Sequence, residues 1–531
     1  KDGFDSVKVT TSKAQFYEAR KQMVYQFKME NYIPSVKAKV ELNASYTKGN
    51  SNAPDFKFLQ YDGNPNTNSY NIDPGVHDIE RFYRYLSDNL FDSRISLEIP
   101  LSDKPGLTRK LRFGGAYQDD KTHNDQYRYY LGKDGLNAPQ LQNNDINSYF
   151  NLDQFDISNG TTVGGIPFST LNWYYNRDEN PTDHTFGKSK ISAAYVMIDY
   201  AIISRLRISG GIREEHTNMF TDINKFDSLG LSDTDPRRFY KEGTLPATPG
   251  RINKTNFLPS ATIIYKLIDK EENPTNIRLG YSQTVARPSL REISNVTNFD
   301  NELQVNVTGN PNLKMVEIKN YDFRIESYFK NKDNISLSVF YKEFKNHIEL
   351  ERADNYYWQN VDKSHVTGVE LEGRKGIIKG LEFRANVTLV KSYTSYVRTL
   401  PLINGINVTY VYEDTVKRTM FGQAPYIVNA ILSYTSDTLG FTATLSYNIQ
   451  GPRLVIGSNN KSIPDVYELQ RHLLDFKISK KFGKHLSASF TIKDILNSKI
   501  TRAYKFNDGY DVIYDQYRWG TNYLLGISYK L

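Results

Sequence analysis

The feature that most restricts this chain is a repeating unit: an alternating segment, a long polar passage, a second alternating segment, then a tight turn. The stretch from Asn276 to Phe329 shows it whole. Ile277–Ser282 and Tyr321–Phe329 each alternate apolar and polar residues, the period of a strand whose two faces differ. Between them, Ala286 to Leu313 is too polar to be core. The same rhythm runs along nearly the whole chain. Val36, Ala38, Val40, Leu42, Ala44 and Tyr46 fall on one face, with Lys37, Lys39, Glu41, Asn43 and Ser45 on the other. Leu381–Leu389, Tyr426–Tyr434, Phe441–Ile449, Leu486–Ile492 and Tyr523–Leu531 repeat the pattern. Tight turns are expected at 31–35, 100–106, 270–274, 331–334, 376–380 and 436–440 and at Ser204 and Gly483, while polar passages at about 47–78 and 118–187 are expected as loops.

About seventeen such strands are counted, each near the ~9–11 residues that a tilted membrane strand needs. Short turns and long loops alternate, so every short turn lies at one end, an asymmetry that a soluble sandwich or propeller has no reason to keep. A structureless passage as long as 118–187 argues against a compact soluble domain. Mean hydropathy is −0.58, yet the chain holds 39 Tyr and 28 Phe. A polar average with abundant aromatics and pervasive alternation is expected when only every second strand residue faces lipid. The fold class is therefore all-β, a transmembrane antiparallel β-barrel formed as one domain over residues 1–531, with a polar interior and a wide lumen.

Composition removes several alternatives. Lys plus Arg is 67 and Asp plus Glu is 60 in 531 residues, a formal charge of +7 with the two signs interspersed, so no nucleic-acid face is expected. Cysteine is absent, which excludes disulfides and thiolate zinc sites. The eight His are scattered, with no His-Glu-x-x-His, and no catalytic set, metal site or cofactor motif is read. Asp145, Asp153 and Asp156 do not match a calcium-loop spacing, and Gly132-Lys-Asp-Gly135 is a turn with no flanking strand–helix pair. His485, beside a turn, reads as solvated.

Several short motifs occur in a fixed order: Phe257-Leu-Pro-Ser260, Gly280–Ser289 ending in Ala-Arg-Pro-Ser, Gly309-Asn-Pro-Asn-Leu313, Lys319–Arg324, Gly368-Val-Glu-Leu-Glu372, Gln423-Ala-Pro-Tyr426 and Lys493-Asp-Ile-Leu-Asn497. This ordered set resembles the barrel of TonB-dependent outer-membrane receptors. Two positions depart from it: Met315-Val316 stand where the family usually has Pro-Glu, and the last residue is Leu531 where outer-membrane barrels favour Phe. The resemblance implies a 22-stranded barrel, of which about 17–18 strands fall in this chain. It also implies an N-terminal plug and a TonB-contacting segment. Neither is read here, so the chain is expected to be the C-terminal part of such a receptor, meeting TonB through a plug segment outside it, with a plugless relative as the alternative.

Implied by the same resemblance are the outer membrane of a Gram-negative bacterium as location, its lipid as surroundings, and active uptake of a siderophore, vitamin, glycan or peptide. The alternative is a non-transporting barrel acting as scaffold, with a surface lipoprotein or other outer-membrane subunits as partner. A soluble carbohydrate-binding β-protein is the weakest reading. Two aromatic clusters, Trp173-Tyr174-Tyr175 and Tyr356-Tyr357-Trp358, are the candidate ligand contacts, against a plain role in an interfacial girdle; Trp519 is expected in the girdle. Arg287, Pro288, Gly309, Asn310 and Pro311 are expected to shape the loop, with Arg287 and Arg291 paired to Glu292 and Glu317, against the alternative that the two arginines line the outer lumen and attract anions.

Overall fold

In a computed structural model the seventeen expected strands form one antiparallel wall, and no α-helix occurs among the described residues. The structure describes residues 9–64, 69–71, 79–102, 104, 107–132, 146–148, 150, 157–163, 166–171, 174–178, 183–223, 249–300, 303, 305–352, 356–404, 407–458, 463–506, 509 and 511–530. The wall strands are β1 Ala19–Ile33, β2 Ala38–Asn64, β3 Ile79–Pro100, β4 Arg109–Gly132, β5 His184–Ile203, β6 Leu206–Ile223, β7 Gly250–Ile268, β8 Thr275–Ala286 and β9 Val316–Tyr328. They continue as β10 Asn334–Arg352, β11 Tyr356–Ile378, β12 Leu381–Asn404, β13 Tyr426–Ser436, β14 Phe441–Gln450, β15 Arg471–Phe482, β16 Leu486–Lys493 and β17 Asn522–Tyr529. Each pairs with its neighbour in chain order. Among the described residues β1 and β17 are each paired on one side only.

Side-chain alternation fixes which face each residue takes. Outward positions carry Ile263, Leu279, Val339, Leu371 and Leu389, all strongly exposed. Water would expel so large an apolar surface, whereas hydrocarbon accepts it. The inward positions beside them carry Arg278–Glu326, Arg324–Glu372 and Arg374–Glu382 ion pairs at 2.5–2.7 Å. Backbone donors and acceptors are satisfied between strands, the condition that any membrane-crossing structure must meet. Toward the long-loop end, Tyr281, Tyr321, Tyr341, His365 and Tyr393 make a ladder of rings 5.2–6.4 Å apart across five strands. A band of rings at this level suits the interface between hydrocarbon and water.

The alternating turns are present, but two of the long loops are shorter than expected. β2 continues to Asn64 and β3 begins at Ile79, so much of the polar passage after Tyr46 is strand. Likewise β4 runs to Gly132 and β5 begins at His184. At the rim both faces of a strand are wet, so alternation fades while the ladder of hydrogen bonds continues. The connection from Ala286 to Val316 also holds two short strands, Thr297–Asp300 and Val305–Thr308.

Candidate ligand vestibule

The loop between β8 and β9 sits against inward-facing residues of the neighbouring strands and divides the space at the long-loop end of the wall. It opens with a reciprocal cap: the Ser289 amide donates to Glu292 Oε2 at 2.7 Å, and the Glu292 amide donates to Ser289 Oγ at 3.2 Å. Glu292 is thus occupied by its own turn. Arg287 reaches across to β6, donating to Thr217 Oγ1 at 2.8 Å and pairing with Glu215, which Arg213 also holds at 2.6 Å. The expected partners Glu292 and Glu317 are therefore corrected, since Glu317 pairs with Lys254. The bond to Thr217 joins residues 70 positions apart, which no local pattern announces.

Gly309 is where the loop folds back on its own start. A Cβ there would lie 2.7 Å from the Arg291 carbonyl oxygen and 3.0 Å from that of Glu292, with the Ser294 oxygen nearer still. Only glycine permits that approach. Beside it, the Asn310 amide donates to the Glu292 carbonyl at 2.6 Å, and Asn310 Nδ2 donates to the Trp358 carbonyl at 2.9 Å. Leu313 and Met315 are buried with Met219, Ile252 and Ile293. An apolar Met315 therefore suits this position, where the family pattern has proline. Pro288 lines the cavity described next, and Pro311 lies in the turn between Asn310 and Asn312.

Trp358 packs against this cluster and a second one of Val307, Leu350, Ile456 and Val466, and meets Phe421 edge-on at 6.3 Å. Tyr356 has its hydroxyl 3.3 Å from that of Tyr514, while Tyr357 donates to Glu351 at 3.5 Å. Tyr174 and Tyr175 lie in the rim strand Tyr174–Asp178, paired with Gly132 and Leu131; Trp173, Asp145, Asp153 and Asp156 lie outside the described residues. The exposed Trp519 ring stands 5.7 Å from the Arg471 guanidinium. His485 is exposed and stacks on Tyr529.

Two cavities flank the loop. One of about 670 Å³ is lined by Arg20, Arg84, Arg287, Arg291, Glu18 and Asp120 among others. The other, about 320 Å³, is lined by Arg291, Trp358, Phe421, Arg453 and Arg502 among others. Ser289 and Arg291 line both, so they are neighbours around one turn. Arg20 is paired with Glu18 and Arg287 with Glu215, but the side chains of Arg84 and Arg291 have no ion pair among the described residues. Burial pulls Arg84 below its ordinary value; Glu18 opposes this, and the positive charges of Arg291 and Arg20 add to it. Guanidinium stays charged regardless, so Arg84 and Arg291 bring positive charge to a cavity that Glu18, Asp88 and Asp120 also line.

Ordered motifs, a lipid-matched wall and a folded-in mid-wall loop come together with one comparison: the sequence profile of the TonB-dependent receptor-like β-barrel matches residues 39–495. The chain belongs to that family. Comparison with curated proteins finds no match. Among solved structures, the siderophore receptor PiuA from Acinetobacter baumannii is similar at TM-score 0.59 and 13% identity over 97% of this chain and 65% of that one. The unliganded ferric citrate transporter FecA is similar at 0.53 and 13% over 97% and 62%, and FpvAI in complex with pyocin S2 at 0.52 and 12% over 96% and 57%. This TonB-dependent receptor barrel thus shares their fold, and it spans 57–65% of their length.

Proposed function

We propose that this chain is the wall of an outer-membrane importer that takes up a scarce, anion-bearing nutrient through its lumen. The observation that carries the reading is the arginine-lined vestibule at the long-loop end, where Arg84 and Arg291 face a cavity of about 670 Å³. Oriented guanidinium groups in a low-dielectric cleft concentrate an anionic ligand and hold its carboxylate or phosphate groups bidentately. Aromatic Trp358 and Phe421 beside them offer flat surfaces to a ring or sugar. Trp173, Tyr174, Tyr175, Tyr356 and Tyr357 belong to the same proposal as loop contacts. TonB would act through a plug segment.

Uptake of radiolabelled ferric citrate, a panel of ferric siderophores and cobalamin, in cells deleted for the gene and complemented, tests this. One probe is expected to lose protonophore-sensitive accumulation on deletion and regain it with the wild type, but not with Arg84→Ala/Arg291→Ala. Unchanged accumulation of every probe after deletion would count against uptake.

One observation favours the scaffold reading. Four rim strands, Arg453–Ser458, Val466–Glu468, Ile500–Lys505 and Asp511–Tyr517, pair in that order, and the last leaves Val512 and Ile513 exposed on an edge paired on one side only among the described residues. Such an edge accepts a strand from a surface partner. A stoichiometric partner on native purification, with no uptake defect after deletion, would favour it.

A further inference from the structure

The inward face of the wall changes its chemistry from one side to the other. On β8–β12 the inward arginines come with their carboxylates: Arg278 with Glu326, Arg324 with Glu372, and Arg374 and Arg384 with Glu382. A guanidinium held in this way has its charge answered locally. On β13–β17 the alternation instead brings mainly hydroxyls and amides to the same face. These bond sideways to one another. Asn448 Nδ2 donates to Asn429 Oδ1 at 2.6 Å, Asn429 Nδ2 donates to Asn386 Oδ1 at 2.7 Å, and the Ser433 and Thr444 hydroxyls stand 3.0 Å apart. The outcome is a neutral polar track running down the lumen side.

Lysines punctuate this track. Asp475 and Lys493 are neighbours by register at its upper end, and the Asp494 amide donates to Asp475 Oδ1 at 2.8 Å. Below them the inward positions hold Lys477 and Lys481, then Lys530 just past β17, and no carboxylate. All three are exposed, and none has an ion pair among the described residues. Lys477 lies opposite Thr444 and Thr491, Lys481 lies opposite Ser487, and Ser487 in turn pairs with Ser528, two residues before Lys530. The cations therefore step down toward the short-turn end. Like charges without counter-charge in a cleft with low-dielectric walls raise the local concentration of anions. Their chemistry also differs from that of the vestibule. Arg84 and Arg291 present planar forks, whereas a lysine ammonium is a flexible, hydrated point charge with a looser grip. Passage needs sites strong enough to draw a ligand in and weak enough to let it go.

We propose that the lumen face of β13–β17 is a transit lane for anions. Carboxylate or phosphate groups leaving the vestibule slide along the amide and hydroxyl track and are drawn down by Lys477, Lys481 and Lys530. The paired sector of β8–β12 takes no part. The proposal rests on the uptake reading for its direction of travel, and it adds to that reading a route and the residues that line it.

The test uses full-length protein in mild detergent with one introduced thiol. Thr491→Cys, opposite Lys477, reports on the lane, and Ser338→Cys, beside Arg324 in the paired sector, is the control. Each is treated with methanethiosulfonates of similar size bearing either a sulfonate or a trimethylammonium group, and rates are corrected for those with a free thiol. At Thr491→Cys the sulfonate is expected to be favoured about tenfold, as for two unit charges roughly 8 Å away in salt-screened, near-aqueous surroundings. Ser338→Cys should show no such preference. K477Q/K481Q is expected to cut the preference at Thr491→Cys to about threefold or less. K477R/K481R, which keeps both charges, should preserve it and so separates charge loss from misfolding. Inorganic phosphate at constant ionic strength should slow the sulfonate reagent at Thr491→Cys and not at Ser338→Cys. No preference at Thr491→Cys, as when carboxylates of a segment seated in the lumen neutralise the lysines, overturns the proposal. So does a preference unmoved by K477Q/K481Q, an equal preference at Ser338→Cys, or no slowing by phosphate. Labelling is read without transport, so its failure leaves the uptake reading standing, and a strain without an uptake defect leaves the anion site standing.

Discussion

Arg418 should be the residue whose loss most disturbs the rim. It is nearly buried, stands 3.9 Å over the Tyr396 ring, and sits among three carboxylates: Glu349, Glu351 at 3.5 Å and Asp465 at 3.2 Å. These come from β10 and from the segment after Arg453–Ser458, so one guanidinium ties together rim segments distant in sequence. Burial alone would lower Arg418, yet Glu349, Asp465, Tyr396 and Glu351 together hold it above its ordinary value. Arg418→Met leaves three buried carboxylates without their cation. Removing one partner of a buried pair costs about 3–5 kcal/mol, which at 1.4 kcal/mol per tenfold is about two to three and a half powers of ten in the open population. Hydrogen exchange of full-length protein in detergent reads this directly. Amides of 347–352 and 453–458 should exchange faster by about that factor, while those of 335–341 should not change. Adding Glu349→Gln, Glu351→Gln and Asp465→Asn to Arg418→Met should restore most of the protection, because replacing the whole buried ionic set is far cheaper than orphaning part of it. Unchanged exchange at 453–458 in Arg418→Met, or no recovery in the combined variant, would show that the Arg418 cluster does not hold these rim segments together.

Three further outcomes follow from the same geometry. Gly457→Ala puts a Cβ 2.6 Å from the Arg418 guanidinium carbon and should reproduce much of the Arg418→Met exchange pattern without touching a charge. Gly309→Ala meets carbonyl oxygens on three sides, and Asn310→Ala removes the bond to Trp358; protease cleavage within 287–315 should rise in both, with Asn310→Ala costing about 1–3 kcal/mol. Burial holds His347 below its ordinary value, the charge of Glu349 opposing this and that of Arg418 adding to it. Its contribution to closure is therefore full above about pH 6.5 and is lost as pH falls through the lowered value. Glu351 is raised by burial against the pull of Arg418 and works in the opposite direction at lower pH. Opening at 347–352, followed by exchange corrected for intrinsic rates, should grow from pH 7 to about 5.5 in the wild type, and His347→Gln should flatten that rise.

The wall was legible from the residues because membrane strands carry an apolar and a polar face, and the alternation survives wherever one face meets lipid, as at Ile335, Leu337, Val339 and Tyr341. It failed at the rim for the same reason. From Gln118 to Tyr130 both faces are polar, and a strand there reads as a loop although its ladder to β3 and β5 continues. The vestibule was legible only in part. The Ala-Arg-Pro-Ser and Gly309-Asn310 motifs marked the loop, but Arg287 to Glu215 and Arg418 to Glu349 join residues 72 and 69 positions apart, and such contacts leave no trace in local spacing. Arg84 was missed because a single arginine in a polar strand has no pattern to mark it. Its clue was weak, an inward position level with Glu18 and Arg20.

Whether this wall crosses the outer membrane with its long connections outside can be measured directly, because the sequence holds no cysteine. Single-cysteine variants in intact cells would be treated with either an impermeant or a lipid-soluble thiol reagent. Asn360→Cys, at the long-loop end, should react with the impermeant reagent, and Lys270→Cys, in a short turn, should react only after the cells are opened. Val339→Cys should react with the lipid-soluble reagent and its inward neighbour Ser338→Cys should not. Labelling of Lys270→Cys from outside, or equal labelling of Val339→Cys and Ser338→Cys by the lipid-soluble reagent, would contradict the account.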